Sequence, residues 1–111
     1  MDWVPAVDIL EKDQAIVLKA ELPDMELKDI DITLDGNTLQ IKGTRRRDDE
    51  VKEESYHRTE RVYGTFSRYF TLPETVDLEK IDATYDKGVL RVTLAKKEVV
   101  QPKKIKVEVK S

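Results

Sequence analysis

The sequence has no cysteine and only one histidine among its 111 residues. The lack of cysteine excludes a disulfide framework, a thiolate metal site and a cysteine nucleophile, and it is compatible with a reducing compartment. A histidine-based metal site or a Ser-His-Asp triad would have to use His57 alone, so a solvated or interface histidine is favoured. We therefore expect no metal and no cofactor.

Long apolar runs are also lacking. The first ten residues, "MDWVPAVDIL", have neither the basic start nor the apolar segment of an export signal. No apolar run approaches the length that spans a membrane. These absences predict a cytoplasmic protein that has no membrane partner.

Neither sign of charge predominates. The 20 basic and 23 acidic residues leave a net charge of -3, although 39% of the chain is charged. The one basic run, residues 45–47, is followed at once by acidic residues, and residues 45–54 carry four positive and five negative charges. A polyanion would gain little there, so no nucleic-acid partner is expected.

No two of the many carboxylates stand out as a general acid and base, so the sequence does not predict an enzyme.

Alternation of apolar and polar residues at strand period runs through most of the chain. The length suits one domain with a modest core. The "DGN" at 35–37 and Gly88 predict hairpin turns, the latter with positive φ, and Asp77 is expected to begin a single helical turn. About eight strands and no long helix predict an all-β protein, an immunoglobulin-like β-sandwich.

Two segments do not fit a self-contained sandwich. In "TRRRDDEVKEES" the apolar residues nearly vanish, which predicts a long exposed loop with a small strand around 56–59. Near the end, beyond Pro102, Ile105, Val107 and Val109 alternate with charged residues. This tail is either a frayed terminus or a strand that docks on a sheet edge of another chain.

Five stretches in order resemble the α-crystallin domain of the small heat shock proteins, in its bacterial and plant form. They are "PAVDILEKD", "AELPDMELKDIDI", "LQIKGTRR", "ERVYGTFSRYFTLPETVD" and "IDATYDKGVLRVTLAK". Ala83 followed by residues 88–90 matches the family's signature, and residues 105–107 match its I-x-I/V motif. The resemblance covers nearly the full chain and implies an α-crystallin domain at 1–97 and a C-terminal extension at 98–111.

The resemblance implies a homodimer in which a strand from the loop at 44–64 adds to the edge of the partner's sheet. Residues 56–59 would be that strand, and the run at 4–9 its acceptor. Glu60 and Arg68 match positions that pair across the dimer. The implied dimer interface comprises Val4, Val7, Ile9, Tyr56, His57, Arg58, Thr59, Glu60 and Arg68.

The resemblance also implies higher homo-oligomers. Ile105 and Val107 would occupy an apolar groove on a neighbouring dimer. The tail would be recognised there as an added β-strand whose alternate side chains enter pockets. That groove would be lined by Ile30, Ile32 and Leu34 on one edge and by Ala83, Tyr85 and Leu90 near the other.

The resemblance implies an ATP-independent holdase, which binds partly unfolded client proteins and prevents their aggregation. The alternatives are a monomeric β-sandwich co-chaperone or adaptor module, and an enzyme.

The chain departs from the family at Asp24, where a glycine is usual, and at Ala95, where a proline is frequent. It also begins almost on the first strand, so we expect a short member or a truncation that lacks the family's N-terminal arm.

Overall fold

A computed structural model describes residues 3–48, 50–98 and 105–110 as two antiparallel β-sheets. The all-β sandwich predicted from the sequence is confirmed. The described residues form seven strands, which are β1 Val7–Glu11, β2 Ala15–Glu21, β3 Ile30–Asp35, β4 Thr38–Arg45, β5 Gly64–Thr71, β6 Val76–Asp86 and β7 Val89–Lys96. Two short 3-10 turns, Leu27–Asp29 and Glu53–Ser55, lie between strands. Over the same residues, nothing helical has the length and apolar character that crossing a membrane requires.

The strand order is β1-β2-β7-β6 in the four-stranded sheet and β3-β4-β5 in the three-stranded sheet. The inward-facing residues of the strands supply most of the core at period two, as residues of one pleat face must. Members of this core are at most 9% exposed and are Ile16, Leu18, Ala20, Leu22, Met25, Leu39, Ile41, Phe66, Leu72, Val76, Leu90, Val92 and Leu94.

The two predicted hairpin turns are present. Lys87 and Gly88 join β6 to β7 with φ of 53° and 77°, which is the left-handed pair that a type I′ turn requires. Gly36, with φ 59°, lies in the turn from β3 to β4. The carbonyl of Gly88 also accepts a hydrogen bond from the Leu22 amide at 2.8 Å, so this turn is tied to the end of β2.

The prediction of a helical turn beginning at Asp77 is wrong. Residues 76–86 are a single strand, and the Asp77 carboxylate accepts a local hydrogen bond from the Glu79 amide at 3.0 Å. Val76 is 1% exposed and pairs with Lys96, and the register then shifts before Ile81. Burial and sheet pairing at both ends therefore outweigh the capping propensity of one aspartate.

The loop strand predicted around 56–59 is not formed in this single chain, which is why the described residues contain seven strands rather than about eight. A short strand needs a ladder partner for its backbone groups, and these residues have none on their own sandwich. The spacer at 99–104 lies outside the described residues.

The position of the N-terminal segment fixes which sheet edges lie on the same side. The Trp3 amide donates to the Thr65 carbonyl at 3.2 Å, and Arg68 Nη1 donates to the Pro5 carbonyl at 3.1 Å. Since residues 3–5 lead directly into β1, β5 lies on the β1 side of the sandwich. The order β3-β4-β5 then places β3 on the opposite side, with β6.

Candidate assembly surfaces

Most of the residues predicted to line an apolar groove lie on the side of the sandwich that carries β3 and β6. Ile30 and Ile32 of β3 are half-buried against the core, and Tyr85 of β6 is packed against it in the same way. Leu34 is 38% exposed, and the small Ala83 side chain is exposed as well. The structure therefore brings five of the six predicted groove residues to one side of the sandwich.

Leu90 is the exception among the predicted groove residues. It is 3% exposed and belongs to the core, because β7 is an interior strand and its inner face is covered by the opposite sheet. Leu90 supports Tyr85, which it faces in register across the β6–β7 hairpin. It therefore lies behind the groove wall.

Tyr85 is held in place by its hydroxyl group. The phenol donates to the Leu22 carbonyl at 2.5 Å, and the Met25 amide approaches the same oxygen at 3.4 Å. A buried tyrosine needs such a partner for its O–H group. The ring is thus fixed between the β6 edge and the connection that leads from β2 towards β3, so one wall of the groove is preorganised.

One further apolar residue of β6 extends this wall and was missed from the sequence. Ile81 packs partly against the core. The signal for Ile81 was its place two residues before Ala83, on the same face of a strand. It was overlooked because the stretch from 77 to 80 was interpreted as helical.

A second surface is the free edge of β1, on the other side of the sandwich. Val7 packs against the core, whereas Ile9, which shares its face of the strand, is 57% exposed. Val4, just before β1, is 75% exposed. Among the described residues no strand pairs with the outer edge of β1. This edge combines unpaired backbone groups with uncovered apolar side chains, which are the requirements for adding a strand.

Arg68 lies at the same edge. It occupies an inward-facing position of β5, and its guanidinium carbon is 5.2 Å from the centre of the Phe70 ring. One of its nitrogens is bound to the Pro5 carbonyl, and a guanidinium carries five N–H donors. The structure therefore brings together Arg68 and the run at 4–9, which the sequence analysis had assigned to one interface.

The loop residues of the predicted interface lie elsewhere in the single chain. Arg47 stacks over the Tyr56 ring at 4.4 Å, and its Nη2 donates to Thr59 Oγ1 at 2.7 Å. Arg58 and Glu60 form an exposed ion pair with 3.4 Å between Nη1 and Oε1. His57 is exposed. Four of the predicted interface residues line a cleft together with Asp24 and Arg46, and they are Tyr56, Arg58, Thr59 and Glu60.

The tail is the third surface. Residues 105–110 adopt no regular secondary structure, and Ile105, Val107 and Val109 are 81%, 84% and 92% exposed. Burying such a β-branched side chain lowers the free energy by about 25 cal/mol per Å² of apolar surface removed from water. The segment thus has the apolar side chains for a docked strand, and in the single chain they are largely exposed.

Comparison with known proteins agrees with this geometry. Residues 8–110 match the Hsp20/alpha crystallin family. Spore protein SP21 of Stigmatella aurantiaca is 43% identical over 105 residues, which cover 95% of this chain and 62% of that protein. The chain belongs to the Hsp20/alpha crystallin family. The family resemblance inferred from the sequence is confirmed.

Other members of the Hsp20/alpha crystallin family show the same relationship. Small heat shock protein C2 of Rickettsia felis is 42% identical over 105 residues, covering 95% of this chain and 68% of that protein. A crystal structure of a small heat-shock protein from Xylella fastidiosa has a TM-score of 0.84 at 38% identity, covering 96% of this chain and 98% of the other. Heat shock protein 16.0 of Schizosaccharomyces pombe has a TM-score of 0.79 at 33% identity, covering 97% and 99%. The chain thus spans only about two thirds of the length of the curated Hsp20/alpha crystallin relatives.

The structure explains a departure from the Hsp20/alpha crystallin pattern. Asp24 stands where the resemblance implies a glycine, and its φ is +57°, a left-handed conformation that glycine adopts without strain. Aspartate tolerates this region better than most residues. Its carboxylate binds Arg61 Nη2 at 2.8 Å, and this hydrogen bond raises the pKa of the Arg61 guanidinium above its ordinary value. Both side chains of the pair are exposed.

Trp3 is the residue that sequence reasoning missed most clearly in this member of the family. Its indole N–H donates to the Gly64 carbonyl at 2.9 Å, its ring meets Phe66 edge-on at 5.1 Å, and Arg45 stacks on it at 4.3 Å. These contacts fasten the start of the chain along β5 and so present Val4 and β1 at the edge. The available signal was that it is the only tryptophan in the sequence.

Proposed function

We propose that the chain is the assembling part of an ATP-independent molecular chaperone, a holdase that binds partly unfolded proteins and prevents their aggregation. Membership of the Hsp20/alpha crystallin family supports a chaperone role. The mechanism needs neither nucleotide nor catalysis, because a protein that binds exposed apolar segments reduces the concentration of aggregating species by mass action. A cytoplasmic location remains a prediction.

The observation that carries the proposal is the coexistence of partly buried apolar residues on β3 and β6 and an exposed apolar tail in one chain. Ile105 and Val107 are more than four-fifths exposed, and the groove between β3 and β6 has no strand over it in the described residues. Seating the tail of one subunit in the groove of another would cover both. Each contact is weak, but many linked contacts hold an assembly together and still release individually.

The dimer is proposed to form on the opposite side of the sandwich. Residues 56–59 of one chain would leave their own loop and add to the β1 edge of the partner, beside Ile9 and Val4. Glu60 would then leave its exposed ion pair with Arg58 and bind Arg68 of the partner. The guanidinium of Arg68 has several N–H groups that can donate to a carboxylate. The Xylella fastidiosa relative is described as having a distinct high order structure, which supports assembly beyond one chain.

The tail is tested by the mass in solution of the wild-type chain and of an Ile105→Ala, Val107→Ala variant. We expect the wild type to form oligomers larger than a dimer and the variant to stop at a dimer, with weaker protection of a heat-unfolded client. Val109→Ala is the matched control, since Val109 is also largely exposed but lies outside the motif. Equal masses above a dimer for wild type and double variant would refute the role of the tail.

The dimer is tested by charge exchange. Glu60→Arg and Arg68→Glu should each weaken dimerisation, and the double variant should restore part of it. Lys28→Ala is the control, because it removes an exposed ion pair with Glu26 that lies outside the proposed dimer interface. A monomer for the wild type at micromolar concentration would favour the alternative function, a monomeric co-chaperone or adaptor module.

A further inference from the structure

The two strands that border the groove are acidic. Asp31 and Asp35 are exposed on β3, which has no basic residue. Asp82 and Asp86 are exposed on β6, where Lys80 is the single cation. These four aspartates, here called the acidic rim, alternate with or directly follow the apolar residues that line the groove.

The carboxylates of the acidic rim are not held in ion pairs by their own subunit. In the described ranges none of its four carboxylates takes part in an ion pair. The nearest cations in register are Lys42, which faces Asp31 across β3 and β4, and Arg91, which faces Thr84 between the two rim residues of β6. Because the four carboxylates are exposed and are not held in ion pairs, a cation from another chain can approach them.

The tail has the opposite charge. The sequence from 103 to 110 reads "KKIKVEVK", with four lysines and one glutamate. In an extended segment successive side chains point to opposite faces, so Lys106 points away from the groove when Ile105 and Val107 point into it. A lysine side chain has a flexible four-carbon stem, which lets its ammonium group bend towards carboxylates at the rim.

We infer that the acidic rim selects the basic tail, with Lys106 as the residue that determines specificity. This inference rests on the proposed docking of Ile105 and Val107 and adds a charge requirement to it. The apolar side chains supply the burial, while the rim attracts a segment with lysine between them and repels one with an acidic residue there. Because the rim is exposed, the selection weakens as salt shortens the range of the attraction to about 8 Å at physiological ionic strength.

The test uses a fluorescent peptide with the sequence of residues 101–111 as the probe. The receptor is the full chain carrying Ile105→Ala and Val107→Ala, so that its own tail does not compete. Fluorescence anisotropy at low salt should show that Lys106→Glu in the peptide weakens binding about five- to tenfold and that Lys106→Gln weakens it about two- to threefold. Asp31→Asn with Asp82→Asn in the receptor should remove most of this difference, as should 0.5 M salt.

The controls separate this inference from the function on which it rests. Charge selection would be overturned if the wild-type peptide and its Lys106→Gln and Lys106→Glu variants bound with equal affinity. The docking would stay intact if binding were still lost when Ile105 and Val107 are replaced by alanine. Equal binding of the peptide that carries those two alanines would overturn the docking itself. A scrambled peptide of the same composition should bind weakly, and equal binding of that peptide would show unspecific charge attraction and refute selection.

Discussion

Replacing Gly43 with alanine tests how closely the sandwich is packed behind the groove. Gly43 is buried on β4, where it pairs with Ile30 on one side and Phe66 on the other. A Cβ atom there would lie 2.7 Å from Phe66 Cε1, 2.8 Å from the Asp29 carbonyl oxygen and 2.9 Å from Met25 Cε. The two side chains can move, but the carbonyl belongs to the backbone immediately before β3.

The expected effect follows from two opposing terms. Inserting a methyl group into a closely packed core costs about 1–3 kcal/mol, whereas alanine in a strand recovers about 0.5–1 kcal/mol relative to glycine. We expect Gly43→Ala to lower the free energy of unfolding by about 1–2 kcal/mol, or roughly 4–8 °C in Tm for a domain of this size. The displacement of Asp29 should also shift Ile30 and weaken binding of the tail peptide.

Thermal unfolding at one fixed protein concentration measures this effect, because assembly makes Tm depend on concentration. Gly36→Asn is the matched control: nothing lies within 4 Å of its Cβ, and asparagine tolerates the left-handed φ. It should change Tm by less than about 2 °C. A Gly43→Ala protein with the stability of the wild type would refute the close approach of Gly43, Phe66 and Asp29.

Two further predictions concern the wall of the groove and the turn after β2. Tyr85→Phe should destabilise the fold by about 1–2 kcal/mol in urea unfolding, because the carbonyl of Leu22, a fully buried residue, loses its hydroxyl partner; an unchanged midpoint would show that this bond contributes little. Asp24→Gly should be nearly neutral, since it relieves the left-handed strain while losing an exposed ion pair to Arg61, whereas Asp24→Ala should cost about 1 kcal/mol. Equal stability of these two variants would contradict the strain argument.

The sandwich was predictable because burial leaves a local signature in strands. Leu39 and Ile41 alternate with polar neighbours, and their alternation alone places them inside. The prediction failed at 76–80, because a register shift in β6 interrupts the period and the local residues resemble a helix cap. Leu90 was placed in the groove for a related reason: alternation shows that a residue faces inward, but it does not show whether its strand lies at an edge.

The sequence by itself determined the fold class, the hairpin at Gly88, the charged loop and the apolar tail, since each depends on residues close together in the chain. Only the tertiary structure decided that β3 and β6 share one side, that Arg68 meets Pro5 near β1, and that Asp24 takes a left-handed conformation. Those facts depend on how the two sheets stack, and stacking is set by contacts between residues some 60 positions apart, such as Trp3 with Gly64. Local periodicity carries no information about such distant pairs.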